Sequence, residues 1–197
     1  MGFLYRALQR LHEYDDIVEI GEIARRYFAM NAFDGVLTII GVLMGNYMAG
    51  VRSSAVVITT GLSTCMAMGV SGLWGAYLTE SAERKRNLDI LENHTLSDLS
   101  GTKIGRASKA AVIVVALVDG LAPFAAALMV LLPFFFSAFL GEITISYYLS
   151  LGMALVTLFA LGAFLGQVAR ENLLLSGLKM IGAGLVTIVL SYLLDHR

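Results

Sequence analysis

Two aspartates stand inside stretches of sequence that are otherwise apolar. Asp34 lies about two turns into one such stretch, directly before Gly35, and Asp119 lies in another, before Pro123. On insertion scales a carboxylate in hydrocarbon costs at least ~2.5–3.5 kcal/mol, so each must face protein or water rather than lipid. The chemistry open to such a group is to hold a cation or to carry a proton. For Asp34 a plainer reading stands beside that one: an acid near its helix end, paired with Arg25 or Arg26 or solvated by headgroups. Pro123 has no N–H to offer, which frees the carbonyl of Asp119 itself. A broken helix with a free carbonyl beside a carboxylate suits a cation. The plainer reading of Asp119 is a helix extension whose lipid part begins only near Leu121.

Lys179 is the lone base within an apolar stretch. It either snorkels back to the interface or serves as an intramembrane counter-ion to Asp34 or Asp119. Met44 and Met48, with Met66 and Met68, offer soft thioethers to a metal or fill packing gaps. Outside the apolar stretches, His12, Asp15, Asp16, Glu19 and Glu22 recur at spacings of three and four and share one helical face. Glu80, Glu83, Asp89, Glu92, His94 and Asp98 lie in a mixed-charge connector. The first group is either the wet face of an interfacial helix or a strip that contributes metal ligands.

Several function classes drop out. The serines have no nearby histidine, and neither an HExxH motif nor a glycine-rich phosphate loop occurs. No enzymatic role is therefore expected. The single cysteine, Cys65, excludes a disulfide framework or a cysteine zinc site within one chain. A net charge of −1 gives no reason to expect a nucleic-acid partner.

The elements that must position these residues follow from composition. The chain is 57% hydrophobic and only 15% charged, with a mean hydropathy of +0.76. That much apolar surface needs a bilayer to receive it. Five runs are long enough to cross: residues 27–48, 55–78, 107–136, 143–168 and 173–194. Backbone groups in lipid must pair within the segment, so all five are expected to be helices. The expected fold is thus an all-α integral membrane protein with about five transmembrane helices plus an N-terminal amphipathic helix.

The organisation is one membrane domain in four parts. Residues 1–26 form a wet amphipathic helix, striped by Leu4, Leu8, Leu11 and Val18. Residues 27–78 hold the first two spans, 79–106 the wet connector, and 107–197 the last three spans. Residues 80–92 are expected to continue the second helix. Residues 93–105, rich in Ser, Thr and Gly, read as loop with at most one short helix. The first apolar run begins only near Phe28, which does not resemble a cleaved signal peptide.

Charge sets the orientation. With five spans, eleven of the Lys and Arg residues fall on the side of the N-terminus and two on the other, with Lys179 inside a span. The positive-inside rule puts the N-terminus in the cytoplasm and the C-terminus outside or in an organelle lumen. Gly41-x-x-x-Gly45, Gly162-x-x-x-Gly166 and the run Gly69, Gly72, Gly75 place small residues on helical faces. Such faces allow close helix approach, within the chain or across a dimer. Phe33-Asp34-Gly35-Val36 and Val118-Asp119-Gly120-Leu121 form a weak internal echo, of the kind parallel repeats leave in transporters.

These residues resemble the vacuolar iron transporter family, which moves Fe²⁺ and Mn²⁺ out of the cytosol. Ala32-Phe33-Asp34-Gly35-Val36-Leu37-Thr38 is similar to that family's first-span signature. The segment from Gly69 to Ser81 is similar to its second span, Leu131-Leu132-Pro133-Phe134 to its third, and Ser176-Gly177-Leu178-Lys179-Met180 to its last. The resemblance touches four of five spans in order. It departs in the second span, where the family's pathway methionine and glutamate fall on Gly72 and Ala76, and in a shortened acidic connector.

The resemblance implies a homodimeric exporter of divalent metal, with proton coupling and with Fe²⁺ or Mn²⁺ as substrate rather than cofactor. Its pathway would use Asp34, with Asp119, Glu80, Glu83 and Met44 as further candidates. His12, Asp15, Asp16, Glu19, Glu22, Glu92 and His94 would gather metal at the cytoplasmic mouth. Hard carboxylates suit either metal without strongly selecting one. Two other classes stay open: a membrane scaffold or regulatory subunit that kept the fold without the metal site, and a carrier of another small solute using Asp34, Asp119 and Lys179 as a charge relay.

Overall fold

A computed structural model describes Tyr14 and residues 19–195. Of the N-terminal helix expected over residues 1–26, the part with His12, Asp15 and Asp16 lies outside the described residues, as do His196 and Arg197, while residues 20–26 belong to the first described helix. Among the described residues there are only helices: α1 (Ile20–Met48), α2 (Ser54–Thr95), α3 (Lys103–Phe135), the short α4 (Ser137–Leu140), α5 (Ile143–Ala169) and α6 (Leu173–Asp195). All but α4 are long and apolar enough to cross a membrane, giving five spans. The chain is an integral membrane protein.

The wet flanks lengthen the first three spans. α1 starts at Ile20 rather than near residue 27, because residues 20–26 keep the helical path into the charged flank. α2 runs 42 residues to Thr95, so the connector is mostly helix and its loop shrinks to residues 96–102. No further helix forms in that loop; the short helix that does form is α4. α3 carries both prolines, Pro123 and Pro133, inside it. Membrane helices tolerate this because neighbouring groups and local adjustments take up the freed carbonyls.

The loop is tied by its own side chains. The Leu99 N–H donates to Glu92 at 2.7 Å, and the Ser100 N–H donates to Asp98 at 2.9 Å. The Ser100 hydroxyl and N–H hold the Asp98 carboxyl below its ordinary pKa. That contact is therefore complete above the ordinary carboxylate range and is lost as pH falls through the lowered value. Thr102 precedes α3, and its carbonyl accepts from the Arg106 N–H at 3.1 Å.

The described residues belong to two compact units, one drawn from Met1–Phe28 and Val70–Leu121, the other from Ala29–Gly69 and Ala122–Arg197. In the second, α1 gives Val36, Ile39, Ile40 and Leu43 to the core, α3 gives Val130, Leu131 and Phe134, and α5 gives Tyr147, Ala154 and Leu158. Tyr147 meets Phe134 edge-on at 4.9 Å, and its hydroxyl donates to the Val51 carbonyl at 3.1 Å. Thus an aromatic with a polar tip closes the core without an orphaned hydroxyl. Ser146 and Ser150, one turn apart on α5, are fully buried and find no hydrogen-bond partner among the described residues.

α5 and α6 form a tight hairpin. A Cβ at Gly162 would come within 2.5 Å of the Ser176 carbonyl and 2.8 Å of Gly177 Cα. Only a residue without a side chain permits this crossing. Arg170 ends α5 in the left-handed region (φ 56°), and the Glu171 N–H returns to the Gly166 carbonyl at 2.8 Å. The Asn172 side chain then accepts from the N–H groups of Leu174 and Leu175 at 3.0 and 3.3 Å, starting α6.

Candidate functional site

Asp34 is exposed, although it sits within a helix long and apolar enough to span. Its neighbours Ala32, Val36, Ile39 and Ile40 face the core, so the helical period turns the carboxylate outward. Gly35 fixes that register. A Cβ there would lie 2.6 Å from Pro123 Cα, so α1 can approach α3 this closely only with glycine at position 35. Along the outward face, Met30 lies one turn before Asp34 and is 53% exposed. Gly41 and Gly45 follow at seven and eleven residues, with nothing within 4 Å of an added Cβ. Beside them a cavity of about 340 Å³ is lined by Gly41, Gly45, Met48 and Ser191. A hard carboxylate thus shares an open face with a soft thioether and a strip of small residues. Met30 lies four residues before Asp34, a spacing that puts the two on one helical face.

Asp119 behaves in the opposite way. It is buried, at 7% exposure, and packs against α2 at Gly72. A Cβ on Gly72 would stand 2.8 Å from the Asp119 carboxylate and 3.2 Å from its carbonyl oxygen. Ala76, one turn further along α2, is also buried. Gly72 therefore lines the place where α3 brings its acid.

Glu80 is enclosed at 12% exposure and already engaged. The Tyr27 hydroxyl donates to it at 3.2 Å, and Arg84 pairs with it at 3.4 Å. The Arg84 pairing follows from the i,i+4 spacing, whereas Tyr27 was not legible as its partner. Glu83, His94, Glu19 and Glu22 are exposed. Glu92 closes the loop through Leu99. Met44 is buried in the apolar core. Lys179 is 65% exposed and lies 4.0 Å from Glu171, which precedes α6. Among the described residues, no three His, Cys, Asp or Glu side chains gather where they could hold a metal ion.

Residues 85–196 match the model of the VIT family. The chain belongs to this family. The family is one of membrane metal-ion transporters rather than enzymes. This VIT-family chain is also 29% identical over 178 residues to an uncharacterised protein of Methanocaldococcus jannaschii, covering 89% of this chain and 90% of that one. The region that the family model matches, residues 85–196, holds Asp119, Lys179 and the glycines of the α5–α6 hairpin. Asp34 and Glu80 precede it.

Proposed function

We propose that the chain exports a divalent metal, Fe²⁺ or Mn²⁺, from the cytosol as a homodimer whose pathway passes Asp34. The observation that carries this reading is the outward-facing Asp34 on a membrane-crossing helix. A carboxylate on such a face must be covered by protein or water. The open glycine strip at Gly41 and Gly45 gives a second copy room to approach. Two copies would then bring two Asp34 carboxylates, and two Met30 thioethers, toward one path. Membership of a metal-transporter family supports the cargo class. Acids at Glu19, Glu22 and Glu83, exposed on the basic flank, would draw cations to the entrance, and the excess of Lys and Arg supports a cytoplasmic N-terminus. Exchange of the metal against protons is part of the proposal, with Asp34 as the group that alternates between them.

A second reading, a scaffold that retains the fold without transport, is favoured by one observation. Gly72 and Ala76 bring no metal-binding side chain to the positions where the resemblance implies a methionine and a glutamate. Flux of Fe²⁺ and Mn²⁺ into proteoliposomes separates the two. The intact protein is expected to pass metal and Asp34→Asn to pass none. Full activity in Asp34→Asn would remove Asp34 from the pathway. An inert intact protein, beside an active control carrier, would leave the scaffold.

A further inference from the structure

A second hollow, remote in sequence from Asp34, lies between the charged end of α2 and the start of α3. Its volume is about 440 Å³, within the range of small-molecule sites. Arg84 and Lys85 of α2 and Lys109 of α3 line its wet side, with the hydroxyl side chains of Ser81 and Ser108. Arg84 is shared with Glu80. Lys85 and Lys109 have no ion-pair partner among the described residues. Three cations in one hollow repel a metal ion and favour an anion with several acceptor oxygens, which phosphate supplies.

The rest of the lining is apolar. Val112, Ile113 and Gly105 of α3 and Leu88 and the ring of Tyr77 of α2 form it. A free phosphate would leave that wall unused, and a hydrocarbon chain would cover it. The position in the sequence agrees. On α2 the apolar run ends at Leu78 and the charges begin at Glu80; on α3 Lys109 is the last basic residue, and the stretch after it is apolar but for Asp119. The hollow therefore spans the change from lipid to water. Trp74, the only tryptophan, is 63% exposed just inside that boundary, with Tyr77 at 6.3 Å. Exposed Trp and Tyr are the side chains that settle at headgroup level.

We propose that this hollow binds an anionic phospholipid, its phosphate held by Lys85, Lys109 and Arg84 and its chain lying along Val112 and Ile113. Basic hollows between membrane helices take such headgroups. Binding of lipid here does not rest on the metal pathway proposed at Asp34.

Trp74 stands beside the hollow through its ring neighbour Tyr77, which lines it, and so reports on its occupant. The full-length protein in detergent micelles is titrated with brominated phosphatidylglycerol or brominated phosphatidylcholine, and quenching of Trp74 is followed. Phosphatidylglycerol is expected to bind with clear preference. The double variant Lys85→Gln, Lys109→Gln should weaken it by about twenty-five-fold, roughly fivefold for each lysine. Lys85→Arg with Lys109→Arg should keep the preference, which separates loss of charge from loss of fold. Equal quenching by both lipids in the unaltered protein would overturn the proposal, as would a preference that survives the glutamine pair. Recovery of fluorescence on adding millimolar inorganic phosphate would overturn the lipid assignment in favour of a free-phosphate site.

Discussion

Asp119 and Gly72 explain each other. A buried carboxylate needs room and polar company, and the missing side chain at position 72 supplies the room. Adding one methyl there should force the acid aside, since the Cβ would stand 2.8 Å from its carboxylate. Gly72→Ala is expected to destabilise the protein by about 1–3 kcal/mol, the usual cost of overpacking. Asp119→Ala in the same chain should recover part of that loss, and a double-mutant cycle of thermal unfolding in detergent measures the coupling. Strict additivity would mean that the two residues do not touch. Both aspartates could be read from sequence as acids inside apolar helices, because hydropathy and charge are local properties. What each one faces could not be read, because that depends on helix rotation and on contacts between distant segments. Asp34 and Asp119 share a short motif yet end in opposite environments, one exposed and one buried. The glycine pairs divide in the same way: Gly162 closes a crossing within the chain, while Gly41 and Gly45 stay open.

At the scale of elements the hydropathy runs locate the spans well. Residues 143–168 become Ile143–Ala169, and residues 173–194 become Leu173–Asp195. The boundaries shift where helix continues into water, at the start of α1 and the end of α2, since hydropathy marks the lipid and not the helix. The turn between α5 and α6 gives the sharpest test of local structure. Asn172 caps α6 through two N–H groups, so Asn172→Ala should cost about 1 kcal/mol. Arg170 holds a left-handed conformation that glycine adopts without strain, so Arg170→Gly should raise stability. Unfolding midpoints of the two variants should move in opposite directions. A shift in the same direction would show that this turn does not limit stability.

At the scale of the whole molecule the proposed dimer is the decisive question. Cys65 is the sole cysteine and is buried, so one introduced cysteine reports without interference. Gly41→Cys in membranes is expected to give a covalent dimer on mild oxidation, while a cysteine at Val156, an exposed position on α5, should not. Dimer at Val156 and none at Gly41 would move the interface to another face. α2 carries a different consequence. Its 42 residues extend about 63 Å at 1.5 Å each, roughly twice the ~30 Å of hydrocarbon. One unbroken helix therefore lives in two solvents. Around Val57 and Cys65 a broken backbone hydrogen bond finds no water to replace it, and opening there is costly. Around Arg86 and Leu91 water replaces it at once. Amide protons should then exchange slowly at one end of α2 and quickly at the other, and the wet half can unwind and re-form while the lipid half keeps its place.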